Sequence, residues 1–428
     1  MRRFSLLLTV LALLSAGSTT ALEITPCGKE FKINTSSSGD QHHATVAMNS
    51  KGIILVPWCK KISSEDWDIR CRPFQGSFGG PEFKINTFPS NDLYRQRVPD
   101  VATGRDDLFV AVWSGRTEAG LEKYSAYGRL FSADGSSTTL RIHDAVSSSR
   151  NWPDAAMFSD GSFVVICDHV VNGEILYFVQ AFRADGSRAG PPVRINSEPS
   201  YAPNRNIGFG LPDIAVAEVN GVKTGYAVWE RWELSVWPHR VTIVGRQFTV
   251  DPFIMGEETA IIPSNNTTSR HRPMVDMNDE GEILVTWFER NYDTRKINVF
   301  ARCRGASKDW NGTIEMPLPA GAVKQDRSVG RLFSNGSFVI AWNCDTTANW
   351  NRQDVMMQFF RSDSTPFGNE PITVTDDEFT RHRDQRRPAL DFIEKEGQIY
   401  MIVVWESAEQ LEKPLAWDTY GRFYMGTL

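Results

Sequence analysis

Long apolar runs are scarce in this chain of 428 residues. One, Phe4–Leu14, follows Arg2 and Arg3 and gives way to small residues ending near Thr19-Thr20-Ala21. That is the layout of a secretory signal, and it is too short to cross a bilayer. No later segment approaches spanning length. Residues 1–21 are therefore expected to be a signal peptide, and residues 22–428 a soluble, secreted domain with no membrane span. Long helical periodicity is missing as well, which turns the reading toward short strands and Gly/Asp/Asn turns. Basic charge is in deficit, with 46 Lys and Arg against 52 Asp and Glu. Nucleic acid and anionic membranes are poor partners for such a chain as a whole, although a local basic patch is not excluded. The 6 cysteines include no Cys-x-x-Cys pair, so no zinc site is read; an even number in an exported chain permits disulfides. Gly-x-Ser-x-Gly, His-Glu-x-x-His, phosphate loops and helix-loop-helix calcium loops are all absent, so the sequence names no catalytic residue, no metal and no cofactor.

What the chain does have is repetition. Glu30-Phe31-Lys32-Ile33-Asn34-Thr35 recurs letter for letter at Glu82–Thr87, and more loosely at Val193-Arg194-Ile195-Asn196-Ser197. Its apolar residues alternate with polar ones, the period of a half-buried strand. Seven apolar strands end at comparable places: Trp58, Trp113, Cys167, Trp229, Trp287, Trp342 and Trp405, spaced 55, 54, 62, 58, 55 and 63 residues apart. Several strands per period of this length indicate a β-propeller. Each unit opens with a strand that usually follows proline, as in Pro99-Asp100-Val101-Ala102 and Pro212-Asp213-Ile214-Ala215. A tight turn such as Ser159-Asp160-Gly161 leads to the Trp strand, and a longer loop to a third strand such as Tyr127–Phe131. The last unit stops after Tyr420-Gly421-Arg422-Phe423 without a fourth strand, whereas Glu30–Thr35 is a spare strand at the other end. The expected fold is all-β: a seven-bladed propeller whose N-terminal strand completes the last blade, with Phe31–Thr35 pairing against Gly421–Met425.

The combined pattern Pro-x-Val-Ala, Asp-Gly-x-Phe-Val-Val-x-Trp, Tyr-Gly-x-x-Phe and Phe-x-Ile-Asn-Thr resembles a repeat of secreted bacterial adhesin-like and calcium-binding-domain proteins. It is carried here by Pro99–Ala102, Asp160–Val165, Tyr127–Phe131 and Phe83–Thr87. The resemblance implies the propeller architecture and attaches no single chemistry to it. Arg97-Val98-Pro99 is similar to the Arg-Ile-Pro element of sialidases, but Ser132-Ala133-Asp134-Gly135-Ser136 lacks the Trp of their Asp boxes.

Strand alternation puts the loop entering the first strand and the long loop after the second strand on one face, where function usually lives. The entry loops there carry Arg97, Arg150, Arg205, Arg270, Arg272, Arg327, Arg386 and Arg387, with His271 and His382 nearby. Either each Arg pairs with a carboxylate just past the Trp position (Asp168, Glu230, Glu289, Glu406), or the cations form an anion site at the channel mouth. Trp232, Trp237, Trp350, Trp67 and Trp417 fall on the same face, as sugar platforms or small satellite cores. The ligand set read from the sequence is Arg97, Arg150, Arg272 and Arg386 with Trp232 and Trp350. Its partner is an extracellular glycan or anionic polymer, or else a protein. A carbohydrate-active enzyme, a glycosidase or polyuronate lyase, is the alternative, with His271, His382 and Glu289 as residues that break the repeat. A structural or protein-binding propeller is the third reading. The repeated Asp after proline is read as tying neighbouring units, the repeated Trp as core, Cys59 with Cys71 as a disulfide, and Cys167 as buried and free. Asn34, Asn265, Asn266, Asn311 and Asn335 are candidate glycosylation positions in a eukaryotic host.

Overall fold

The first strands of all seven units line one central cavity of about 290 Å³ in a computed structural model of the chain. The structure describes residues 23–36, 38–64, 66–86, 96–105, 108–116, 124–132, 136–143, 151–172, 174–201, 211–233, 240–263, 265, 267–305, 309–318, 322, 324–345, 353–375, 383–409 and 417–427. Among these there is no helix, and the strands join into antiparallel sheets. Unit two shows the plan: Gln96–Arg105, Leu108–Gly115, Ser125–Ser132 and Ser137–His143 pair in sequence order. Units five and six share one sheet through a single parallel contact, Ile297 with Lys324.

The Trp series is core. Trp58, Trp113, Trp229, Trp287, Trp342 and Trp405 are fully buried between neighbouring sheets, with Cys167 taking the same place in unit three. Several indole N–H groups are satisfied by a glutamine near the start of their own unit: Trp58 to Gln41 at 2.6 Å, Trp113 to Gln96 at 2.9 Å and Trp405 to Gln385 at 2.8 Å. Burying a ring of this size contributes most when its polar edge keeps a partner.

Two sets of hydrogen bonds tie neighbouring units together. On the inside, Asp100, Asp154, Asp213, Asp276 and Asp391 accept from the backbone N–H of Ala155, Ile214, Val275, Leu332 and Met48, at 2.5 to 3.0 Å. The repeated Asp thus does the structural work expected of it. On the outside, a third-strand arginine reaches the preceding unit's last strand: Arg129 to the Ile85 carbonyl at 3.0 Å, Arg246 to Ile195 at 2.6 Å, Arg302 to Ile261 at 2.7 Å and Arg422 to Val374 at 3.1 Å. Replacing Arg302 with Ala is expected to cost about 1–2 kcal/mol, measured by urea unfolding, because two carbonyls lose a charged donor.

The N-terminal residues follow the same plan. Phe31–Lys32 pairs with Gly421 and Tyr420, and Glu23–Pro26 pairs with Tyr424 to Thr427. The stretch 31–35 therefore runs alongside 419–421, and 421–425 is covered further on by the chain before it. Asn34 Oδ1 accepts from Thr419 N–H at 2.8 Å, as Asn86 accepts from Ile69 at 2.8 Å and Asn196 from Tyr177 at 2.9 Å. Arg72 of unit one donates to the Ile33 carbonyl at 2.9 Å, the bond that Arg129 makes to Ile85. With its amide also donating to Ser36 and Asp418, the buried Asn34 cannot present itself for glycosylation in the folded chain.

The expected Cys59–Cys71 disulfide is not formed; both thiols are free and buried. They share a face of the hairpin, opposite Trp58 and Phe74, but the register sets Cys59 across from Ile69 and Cys71 across from Pro57. Diagonal neighbours lie about 7–8 Å apart, beyond the usual reach of a disulfide. Burial pushes the Cys59 thiol up to about 12, so it is no ready nucleophile. Cys167 is buried and free as expected.

Candidate functional site

A backbone irregularity repeats at the entrance to the central cavity. His43, Val98, Arg272, Arg327 and Arg387 all adopt positive φ, between 50° and 55°. The pairing of first and second strands slips at the same places, between Val112 and Ser114, His271 and Met274, Asp326 and Val329, and Arg386 and Ala389. These are bulges, which re-aim a side chain. A left-handed residue other than Gly costs on the order of 1 kcal/mol or more, and something has to hold it there. The residue directly after the previous unit's Trp supplies that hold. Glu406 accepts from His43 N–H at 2.5 Å, Glu230 from Arg272 N–H at 2.7 Å and Asn343 from Arg387 N–H at 2.8 Å.

The sequence reading paired the post-Trp acids with arginine side chains, and the structure divides that role. Glu289 does pair with Arg270, at 2.7 Å. Buried Glu406 is a hub: Arg387 Nη1 lies at 2.8 Å, Arg386 Nε at 3.3 Å and His42 Nδ1 at 3.3 Å. Burial alone would raise its carboxyl, but Arg387, His42 and His43 hold it well below the usual range. Glu230 spends one oxygen on the Arg272 backbone and the other on the Trp232 indole at 2.7 Å.

The guanidinium groups of Arg272 and Arg327 consequently make no hydrogen bond or ion pair with the described residues. Both lie within electrostatic reach of Arg387. Burial lowers the pKa of both, and the charge of Arg387 lowers both further; Arg327, which Arg272 lowers as well, is lowered most. His43 lies beside them; burial first, and then Arg387, pulls its imidazole well below its ordinary value, so it is neutral at neutral pH. Four residues further along the same strands the cavity wall carries Asp276, Arg331 and Asp391, with Asp100, Asp154 and Asp213 from units two to four. A cation cluster thus stands over an acid ring, separated by roughly 13 Å of strand.

Of the residues chosen from sequence, Arg272 belongs to this cluster. Arg386 stacks on Trp417, 3.5 Å from the ring centroid, and is neutralised by Glu406. Arg97 sits over Trp67 at 5.9 Å. Trp232 is corrected: it lies within the strand Val222–Glu233, buried, and braces Glu230 rather than facing solvent. Arg150, Trp350, His382, Arg205 and Trp237 lie outside the described residues. His271 bonds Ser269 Oγ at 2.8 Å with Glu230 at 3.6 Å on its other nitrogen, the connectivity of a catalytic triad. Ser269 is wholly buried, however, and Trp232 and Phe288 flank the imidazole at 5.3 and 5.4 Å, so this group braces the bulge. Among the described residues no group of three or more His, Cys, Asp or Glu is placed to hold a metal ion.

His42 and His43 were missed because unit one lacks the guiding proline. A signal was present: Gln41-His42-His43, Gln96-Arg97-Val98, Gln325-Asp326-Arg327 and Gln385-Arg386-Arg387 each place the left-handed residue two after a glutamine.

No family model and no curated protein matches the chain. Solved structures do. An ulvan lyase of polysaccharide lyase family 25, bound to -[GlcA(1-4)Rha3S]-, is similar with a TM-score of 0.58 at 8% identity, covering 91% of this chain and 95% of that one. A protein of unknown function from Dyadobacter fermentans is similar with a TM-score of 0.54 at 11% identity, covering 95% and 99%. The β-propeller domain of the Trilobed protease from Pyrococcus furiosus, with its open velcro topology, gives a TM-score of 0.45 at 8% identity over 89% and 94%. The chain is thus all-β, built of antiparallel sheets, and similar in fold to the ulvan lyase.

Proposed function

We propose that this chain is a secreted seven-bladed propeller, closed by its N-terminal strand, that binds an acidic polysaccharide at the mouth of its central cavity. The observation that carries the reading is the grouping of Arg272, Arg327 and Arg387, of which the first two make no hydrogen bond or ion pair through their guanidinium groups among the described residues. Guanidinium groups without protein partners suit carboxylates and sulfates, which they bind in bidentate fashion. The similarity to a lyase bound to a glucuronate and sulfated-rhamnose polymer agrees with this choice of ligand class.

A second reading, cleavage of that polysaccharide by β-elimination, is favoured by His43. A neutral imidazole next to guanidinium groups could accept the proton α to a uronate carboxylate while the cations stabilise the charge that develops.

Binding of polygalacturonate, dextran sulfate and uncharged dextran, measured by affinity electrophoresis at two salt concentrations, tests the proposal. The charged polymers are expected to bind, more weakly at high salt, and dextran is not. The double variant Arg272→Ala/Arg327→Ala should bind roughly 10–100-fold more weakly, from the loss of one or two charge-assisted contacts. Equal binding of dextran, or unchanged affinity in the double variant, would sink the reading. Appearance of an ultraviolet-absorbing unsaturated uronate, lost in His43→Gln, would convert the binder into a lyase.

A further inference from the structure

Outward from the cation cluster, across the seam between units seven and one, runs a row of rings. Trp417 lies 5.7 Å from His42, and His42 lies 5.7 Å from Trp67. The row is anchored from beneath, since His42 is held by Glu406 and Trp417 is covered by Arg386. Trp417 is buried and has no free face. Trp67, at the head of the strand Trp67–Gln75, is half-buried, and its ring is the exposed end of the row.

Two cations flank that ring. Lys61 Nζ and Arg97 Cζ each stand 5.9 Å from its centroid. Both lie over the ring at the far end of the cation–π range. Among the described residues Lys61 has one long contact, to Asp40 at 3.6 Å. The Arg97 guanidinium has no hydrogen bond or ion pair among the described residues. A half-exposed indole beside a guanidinium with no carboxylate among the described residues offers two different attractions at one spot: the indole suits the C–H face of a sugar ring, and the arginine suits an anionic substituent on it.

We infer that Trp67, Arg97 and Lys61 form an outer subsite, in which one sugar of the acidic polysaccharide stacks on the indole while its carboxylate or sulfate meets Arg97. The inference rests on the binding reading above and extends it. The bound polymer runs from the cavity mouth over units seven and one, and more than one sugar is read at a time. The subsite adds affinity only for a ligand long enough to reach it.

The test compares polygalacturonate with digalacturonate on the native chain, Trp67→Ala, Trp67→Phe and Arg327→Ala. Trp67→Ala is expected to bind the polymer about tenfold more weakly and the disaccharide unchanged, whereas Trp67→Phe keeps most of the polymer affinity. Quenching of tryptophan fluorescence by the polymer should shrink in both Trp67 variants. Arg327→Ala should weaken polymer and disaccharide together. If the native chain and Trp67→Ala bind polygalacturonate equally while Arg327→Ala weakens it, the subsite is wrong and the binding reading stands. If the native chain binds neither probe, both fall.

Discussion

Removing residues 23–35 is expected to abolish cooperative folding at 37 °C or nearly so, and Ile33→Ala alone to cost about 2–5 kcal/mol. Ile33 is fully buried in a cluster with Trp58 of unit one and Val404 of unit seven, so its side chain belongs to two units at once. The strand around it carries Asn34, whose amide bonds Thr419 and Asp418, and the Ile33 carbonyl that receives Arg72. These contacts join the two ends of the sequence, where no loop does. Their loop-closure entropy is large but grows only as the logarithm of length, so a single strand can offset it. Without them the third strand of unit seven presents an open edge, prone to pair with another chain. Urea unfolding of Ile33→Ala against the equivalent Ile85→Ala measures the difference. Ile85 is as buried and sits in the same motif, but inside the chain. A midpoint no lower for Ile33→Ala than for Ile85→Ala would show that the N-terminal strand does nothing special.

What repeats is what could be read. Trp58 and its equivalents occupy one place in six units, so burial was the economical explanation, and the structure buries them all. An Asp one or three residues after proline recurs five times, too often for a catalytic pair, and each accepts from a neighbouring unit's backbone. Features that depend on register were out of reach. Cys59 and Cys71 were assigned correctly to one face, yet a two-residue offset in the pairing separates them, and nothing local in the sequence sets that offset. Trp232 was placed in a loop because the second strand was ended at Trp229; Glu230 carries the strand on by holding both Trp232 and the Arg272 backbone. The entry-loop arginines were seen as one group, but their roles split by φ. Arg270 and Arg386 are extended and paired with carboxylates, whereas Arg272, Arg327 and Arg387 are left-handed, and of these only Arg387 has an ion pair among the described residues. A left-handed arginine before proline runs against local preference, and only the acceptor from the preceding unit makes it acceptable.

Stability is expected to fall as pH rises from about 5 to about 7, opposite to the behaviour of a protein held by surface carboxylates. The cause is the acid ring. Burial raises Asp100, Asp154 and Asp276, and takes Asp391 to about 6 and Asp213 to about 7, from an ordinary value of 3.8. Asp100, Asp154 and Asp213 also hydrogen-bond to one another through their side chains, which requires a retained proton. A carboxyl whose folded pKa is raised keeps its proton after the unfolded chain has lost it. Its contribution is therefore complete below the unfolded value and is lost as pH climbs through the folded one. For Asp213 this is roughly 4 kcal/mol, at about 1.4 kcal/mol per pH unit. Arg331, which burial would discharge, is kept charged by Asp276 and Asp391 and limits the loss. Groups near the cation cluster act the other way. Glu406, Glu230 and Asp326 are lowered, so their contributions are lost as pH falls through and below about 4.5; that of His43, also lowered, is lost as pH falls below about 6.5. Five ring carboxyls outweigh one histidine between these limits, which places the optimum near pH 5. Asp213→Asn keeps an acceptor for the Val275 N–H and removes the charge, so it should flatten the descending limb and raise the urea midpoint at neutral pH. If Asp213→Asn and the native chain lose stability in parallel between about pH 5 and 7.5, the acid ring is not what titrates.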